Sequence, residues 1–102
     1  MNLGDTIANL REVRGLKQKE LAKRVGITQA YLSQIENNKK EPNFSKLKII
    51  GEVLDVPVPL IFFLAMDEQD VSNQKKDAFV MLRPIMKNLI NDYFISPTET
   101  QP

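Results

Sequence analysis

A chain of 102 residues with neither histidine nor cysteine lacks the commonest general base and metal ligand, and has no disulfide or thiolate chemistry. Its four glycines (Gly4, Gly15, Gly26, Gly51) stand singly rather than in a phosphate-binding loop, and no carboxylates pair recognisably, so neither an enzyme nor a cofactor is expected. The net charge of +1 divides unevenly: residues 1–66 carry ten Lys/Arg against seven Asp/Glu, whereas residues 67–102 carry four against six.

The predicted elements are helices. Leu3, Ile7 and Leu10 recur at helical spacing, with Asn2 placed to cap the start and Gly15 to end the helix in left-handed geometry. A second helix is predicted from about Gln18 to Val25, burying Leu21, Ala22 and Val25 and ending at Gly26. Thr28 offers an N-cap to a third helix reaching Glu36, where Asn37 and Asn38 stop it. Asn43 can cap a fourth helix running to Leu54, with Leu47, Ile50, Val53 and Leu54 inward. A fifth short helix begins near Pro59 and carries Leu60, Phe62, Phe63 and Leu64, with the Phe62–Phe63 pair read as core.

Nothing alternates with period two, so the reading is all-α. The longest apolar run, Val58 to Met66, is interrupted by Pro59 and falls short of the roughly 18–20 residues a membrane span needs. The first residues do not read as a signal peptide, and a cytoplasmic protein is expected.

Residues 1–66 are read as one domain and residues 67–102 as an appendage. Asp67 to Lys76 is polar, a linker or a helix start. From Phe79 onward, Leu82, Met86, Leu89, Ile90 and Tyr93 form an apolar stripe, with Ala78 and Ile85 on its flank. Pro84 interrupts it, so the helix either kinks or begins there. Residues 96–102 hold two prolines and no large apolar side chain, and are expected to be disordered.

Function is written in residues 18–35. Two helices that cross through a turn of roughly three or four residues need a small residue at their closest approach and a glycine in the turn. They also need apolar residues that fix the pair to the body. Ala22, Gly26, and the set Leu21, Val25, Ile27, Leu32 and Ile35 meet these demands at the required intervals.

Here the sequence resembles the phage-repressor and Cro family of XRE-like helix-turn-helix regulators. The resemblance covers roughly residues 3–66 through Ile7-Ala8-Asn9-Leu10-Arg11, Leu16-Lys17-Gln18, Glu20-Leu21-Ala22, Val25-Gly26, Ile35-Glu36-Asn37, Pro42 and Leu54-Asp55-Val56. It implies a five-helix, lambda-repressor-like DNA-binding domain with a C-terminal helical extension. Its third helix enters the major groove of double-stranded DNA.

By the same resemblance, Gln29 matches a glutamine that reads adenine, and Gln18 one that bonds phosphate and steadies it. Gln34 matches a second base-edge position. Ala30, Tyr31 and Ser33 lie on the same helix as further base contacts, Ala30 suited to a thymine methyl. Lys17, Thr28, Asn37, Lys39 and Lys40 are assigned to phosphates with Gln18, and Arg11 with Glu36 to a structural salt bridge. Lys23 and Arg24 are read as ordinary surface. Lys17 stands where a capping Ser, Thr or Asn is usual, Asn38 where a glycine is, and Gly51 where an alanine is.

The plain reading of the tail helix is that it packs back on its own domain. Its apolar face is wider than that needs, and Phe79, Leu82, Met86, Leu89, Ile90 and Tyr93 are expected to pair two copies. The resulting expectation is a homodimeric repressor on a palindromic operator. The rival readings are an antitoxin whose extension holds a toxin protein, and an interaction module without DNA binding.

Overall fold

The computed structural model describes residues 1–96. Five helices, α1 (Leu3–Val13), α2 (Gln18–Val25), α3 (Gln29–Glu36), α4 (Phe44–Leu54) and α5 (Val58–Ala65), form the body, and α6 (Lys76–Ile90) lies against it. No strand occurs among the described residues. The inward positions of the helical patterns supply the core: Ile7, Leu10, Leu21, Leu32, Ile35, Leu47, Ile50, Leu54 and Ile61 are all buried.

The helix ends follow from local chemistry at most of the expected places. Gly15 takes φ +72°, and the Gly15 and Leu16 amides donate to the Glu12 and Arg11 carbonyls, closing α1 in a Schellman turn. Gly26 at φ +84° turns the chain between α2 and α3, with its amide and that of Ile27 donating to the Ala22 carbonyl. Thr28 caps α3 by accepting from the Tyr31 amide at 3.0 Å, and Asn43 caps α4 by accepting from Lys46 at 2.8 Å. With Lys17 at the N-cap of α2, the cap runs backwards: Glu20 accepts the Lys17 amide at 2.7 Å.

The start of α1 differs from expectation. The Asn2 side chain makes no cap; its amide donates to Asp5 at 2.9 Å. The cap arrives from the far end of α3, where Asn38 adopts left-handed geometry (φ 60°) and accepts the Gly4 amide at 2.9 Å. A residue that ends one helix therefore begins another, which ties α1 to α3.

Beyond α5 the chain is folded rather than a loose linker. Two 3₁₀ turns, Glu68–Asp70 and Asn73–Lys75, lead into α6. In the first, Asp67 accepts from the Gln69 amide and Asp70 accepts from the Asp67 amide, at 2.9 and 2.8 Å. That second bond holds the Asp70 carboxyl below its ordinary pKa. Helix α6 continues across Pro84, so it does not begin there. A π-helical turn follows at Asn91–Ile95, and Ser96 closes it by donating its amide to the Asn91 carbonyl at 2.7 Å. Of the stretch expected to be disordered, Ser96 is thus ordered, and residues 97–102 lie outside the described residues.

Packing divides the apolar stripe of α6. Ile90 and, beyond the helix, Ile95 join the same hydrophobic cluster as Ile7 and Leu10, and Phe79 is buried with its ring 6.4 Å from that of Phe63. Leu82, Leu89 and Tyr93 remain exposed, and Met86 is half-buried between the two sets. The side with Phe79 and Ile90 packs back on the protomer's own domain, and the other side faces solvent.

Arg14, which nothing in the sequence marks out, fastens the end of the tail. Its guanidinium donates to the carbonyls of Leu54 (2.7 Å), Ile95 (2.7 Å) and Phe94 (2.6 Å), a cation set against two helix C-termini. Replacing it by methionine keeps the stem and leaves these carbonyls without their charged donor. Arg14→Met is expected to cost about 2 kcal/mol, read as a lower urea midpoint with faster amide exchange at residues 91–96. Unchanged exchange there would mean that apolar packing alone holds the turn.

Candidate nucleic-acid interface

The outward face of α3 is decided by which of its residues the core takes. Leu32, Ile35 and Glu36 are buried, which leaves Ala30, Ser33, Gln34 and Asn37 on the outward side and Gln29 at its edge, next to Leu32 and Glu36. Gln29, Ala30 and Gln34 are exposed, and Ser33 is half-buried. Tyr31 does not share that face. It sits on the flank, half-buried and packed against the core. A face of three amides, a methyl and a hydroxyl, with no acidic group, suits the edges of base pairs.

Gln29 is held from behind. Arg11 donates to Glu36 through Nε at 2.7 Å and Nη2 at 3.1 Å, and its Nη1 donates to the Leu16 carbonyl at 2.8 Å. The hydrogen bond to Glu36 raises the Arg11 pKa above its ordinary value, so the guanidinium stays charged at any pH the fold survives. The Glu36 Oε1 that takes Arg11 Nη2 also accepts from Gln18 Nε2 at 3.0 Å. Gln18 Oε1 in turn accepts from Gln29 Nε2 at 3.4 Å. Four side chains from three helices thus form one line that ends at the first residue of α3.

The residues assigned to phosphate lie around this face and are differently employed. Lys17, Lys39 and Lys40 are exposed, the first at the start of α2 and the others just past α3. Thr28 spends an oxygen lone pair on the cap and keeps its hydroxyl hydrogen. The Asn37 amide turns back to the Ser33 carbonyl at 2.8 Å and its hydroxyl at 3.3 Å, so these two side chains support each other. Asn38, absent from the expected site, belongs to its frame through the cap on α1. A left-handed asparagine just after a helix is the sequence signal for it, but its partner lies 34 residues away.

The sequence model of the helix-turn-helix family matches residues 7–61, which takes in most of α1, all of α2 to α4 and the first half of α5. The chain belongs to the XRE-type helix-turn-helix family. This is a family of DNA-binding transcription regulators and not of enzymes. The immunity repressor protein of Bacillus phage phi105 is 31% identical over 94 residues, 87% of this chain and 65% of the repressor. The chain thus spans less than two thirds of that relative's length.

Among solved structures, the helix-turn-helix chain superposes on SinR, the master regulator for biofilm formation, in complex with DNA. The TM-score is 0.56 and the identity 34%, covering 59% of this chain and 97% of that one. A complex of SinR with the SinI protein matches at TM-score 0.58 and 26% identity over 89% of each chain. A match that long extends past α5 into α6. None of the described helices is long and apolar enough to cross a membrane.

Proposed function

We propose that this protein is a transcriptional repressor that binds a palindromic operator as a homodimer. The observation that carries the reading is the outward face of α3, where an anchored Gln29 stands beside Ala30 and Gln34 on a helix whose other side is core. In the major groove that face offers base-edge partners. The exposed Lys17, Lys39 and Lys40, with Thr28, Gln18 and Asn37, grip phosphates on either side. Similarity to a phage immunity repressor and to SinR bound to DNA supports the assignment. Two copies joined through the exposed side of α6 would present their α3 helices to half-sites about 34 Å apart.

Selection of an operator from a random DNA library by the full chain tests this. An enriched inverted repeat is the expected result, and a well-folded protein that enriches nothing would exclude it. On the selected operator, Gln29→Ala is expected to weaken binding by about 1–3 kcal/mol and to relax preference at one base pair in each half-site. Equal losses on cognate and scrambled DNA would remove Gln29 from base reading.

A second reading has one observation in its favour. The SinR–SinI likeness covers 89% of this chain, so it includes part of the tail helix in a protein that pairs with a different one. In that reading the exposed side of α6 receives another protein, such as a toxin, and co-purification of an equimolar second chain would favour it over the homodimer.

A further inference from the structure

Along α6 and the turns at its ends, Lys75, Ala78, Leu82, Ile85, Leu89 and Asp92 follow at alternating intervals of three and four residues, the spacing of one seam on a helix. The four inner residues are apolar and exposed. The outer two carry opposite charges: Lys75 closes the 3₁₀ turn before the helix, and Asp92 lies in the π-helical turn after it. Both are exposed, and among the described residues neither side chain is in an ion pair.

Each of these charges stands at the unfavourable end for its own helix. A helix favours acid at its start and base at its end, and α6 itself has Asp77 in its first turn and Lys87 in its last. Lys76, also in the first turn, is engaged with the Glu68 carbonyl. Lys75 and Asp92 reverse the favourable order just outside the helix. Within one copy the reversal gains nothing, but a second copy laid the other way meets it with the opposite sign.

We infer that Lys75 and Asp92 make a second copy of this chain the partner of α6, and fix it antiparallel. A half-turn about an axis level with Arg83 and Pro84 sets Ala78 against the partner's Leu89 and Leu82 against the partner's Ile85. The same half-turn sets Lys75 against the partner's Asp92, at both ends of the pair. Small then faces large inside the seam, and charge faces opposite charge outside it. A parallel pair would bring lysine to lysine, aspartate to aspartate, and Ala78 to the partner's Ala78 across a gap. A shift by one repeat would push Asp92 onto the partner's Leu82, or Lys75 onto the partner's Ile85, a charge in an apolar layer. The inference rests on the homodimer proposed above and adds its orientation and the residues that choose it.

The test measures the dimer dissociation constant of the full chain by sedimentation at low salt, with the melting temperature beside it. Lys75→Glu or Asp92→Lys turns two attractions in each dimer into two repulsions, and each is expected to weaken the dimer by about tenfold. Both changes in one chain recreate the two attractions with their ends exchanged, and should return the constant to within about threefold of wild type. Each change also improves the charge at its helix end, so melting temperatures should hold and unfolding does not account for the loss. Single variants that dimerise as wild type does, or a double variant that recovers nothing, overturn the antiparallel pairing and leave the homodimer standing. A wild-type chain that stays monomeric overturns both.

Discussion

Gly4→Ala is expected to be the most damaging methyl group that can be added to the body. A Cβ at this position would lie 2.3 Å from the Ile35 carbonyl oxygen and 2.6 Å from Asn38 Oδ1. The second atom belongs to a side chain that can swing away, but the first is backbone in the last turn of α3 and cannot. Helix α1 must then lift from α3, loosening Ile7 and Leu10 and breaking the hydrogen bond from the Gly4 amide to Asn38. Overpacking of this kind costs about 1–3 kcal/mol and a lost cap about 1 kcal/mol more, so about 3 kcal/mol is expected. That corresponds to a fall in melting temperature of more than about 10 °C. Gly15→Ala is the comparison. It has open space around its Cβ but φ +72°, and should cost only about 1 kcal/mol. If Gly4→Ala melts with wild type, α1 and α3 are less tightly joined than their geometry indicates.

The same contact shows which features the sequence exposes to reading and which it conceals. Gly26, Thr28 and Asn43 act within a few residues of themselves, through a left-handed φ or a cap on the next turn, and so their positions locate the ends of α2, α3 and α4. Asn38 acts on Gly4, and Arg14 on Phe94 and Ile95, across distances that no local rule spans. The cap assigned to Asn2 fails for this reason: a nearby asparagine is a sufficient local explanation, and a distant one takes the place instead. Tyr31 shows a different limit. Helical periodicity places it at the boundary between the two faces of α3, and only the depth of the surrounding core draws its ring inward. In the candidate site, the identities of Gln18 and Gln29 were legible through family resemblance. The carboxylate that orders their amides became visible only when α1, α2 and α3 were brought together.

Periodicity had the same limit in α6, where it revealed an apolar stripe without showing how much of it the protomer would cover. Phe79 and Ile90 are spent on the body, while Met81, Leu82, Ile85, Leu89 and Tyr93 stay between 47% and 74% exposed. A protein that leaves four large apolar side chains along one helix, and a fifth in the turn after it, has a partner for them or an aggregation hazard. Replacing Leu82 and Leu89 together by glutamate separates the two sides of the helix. Both are solvent-facing in the protomer, so its own stability should shift by no more than about 0.5 kcal/mol at each position. In a contact between two copies, each glutamate would be an unpaired charge carried into an apolar interface, and a twofold axis would present it twice. The expected result is a folded monomer by sedimentation. Its affinity for a single half-site should be kept, and its affinity for the full inverted repeat should fall by about a hundredfold or more, since the second contact is no longer tethered to the first. Phe79→Ser should do the reverse, lowering the melting temperature through the lost packing on Phe63. A Leu82→Glu, Leu89→Glu protein that stays dimeric would move the subunit contact off this helix. One that binds the full repeat as a monomer with undiminished affinity would show that operator recognition needs no second copy.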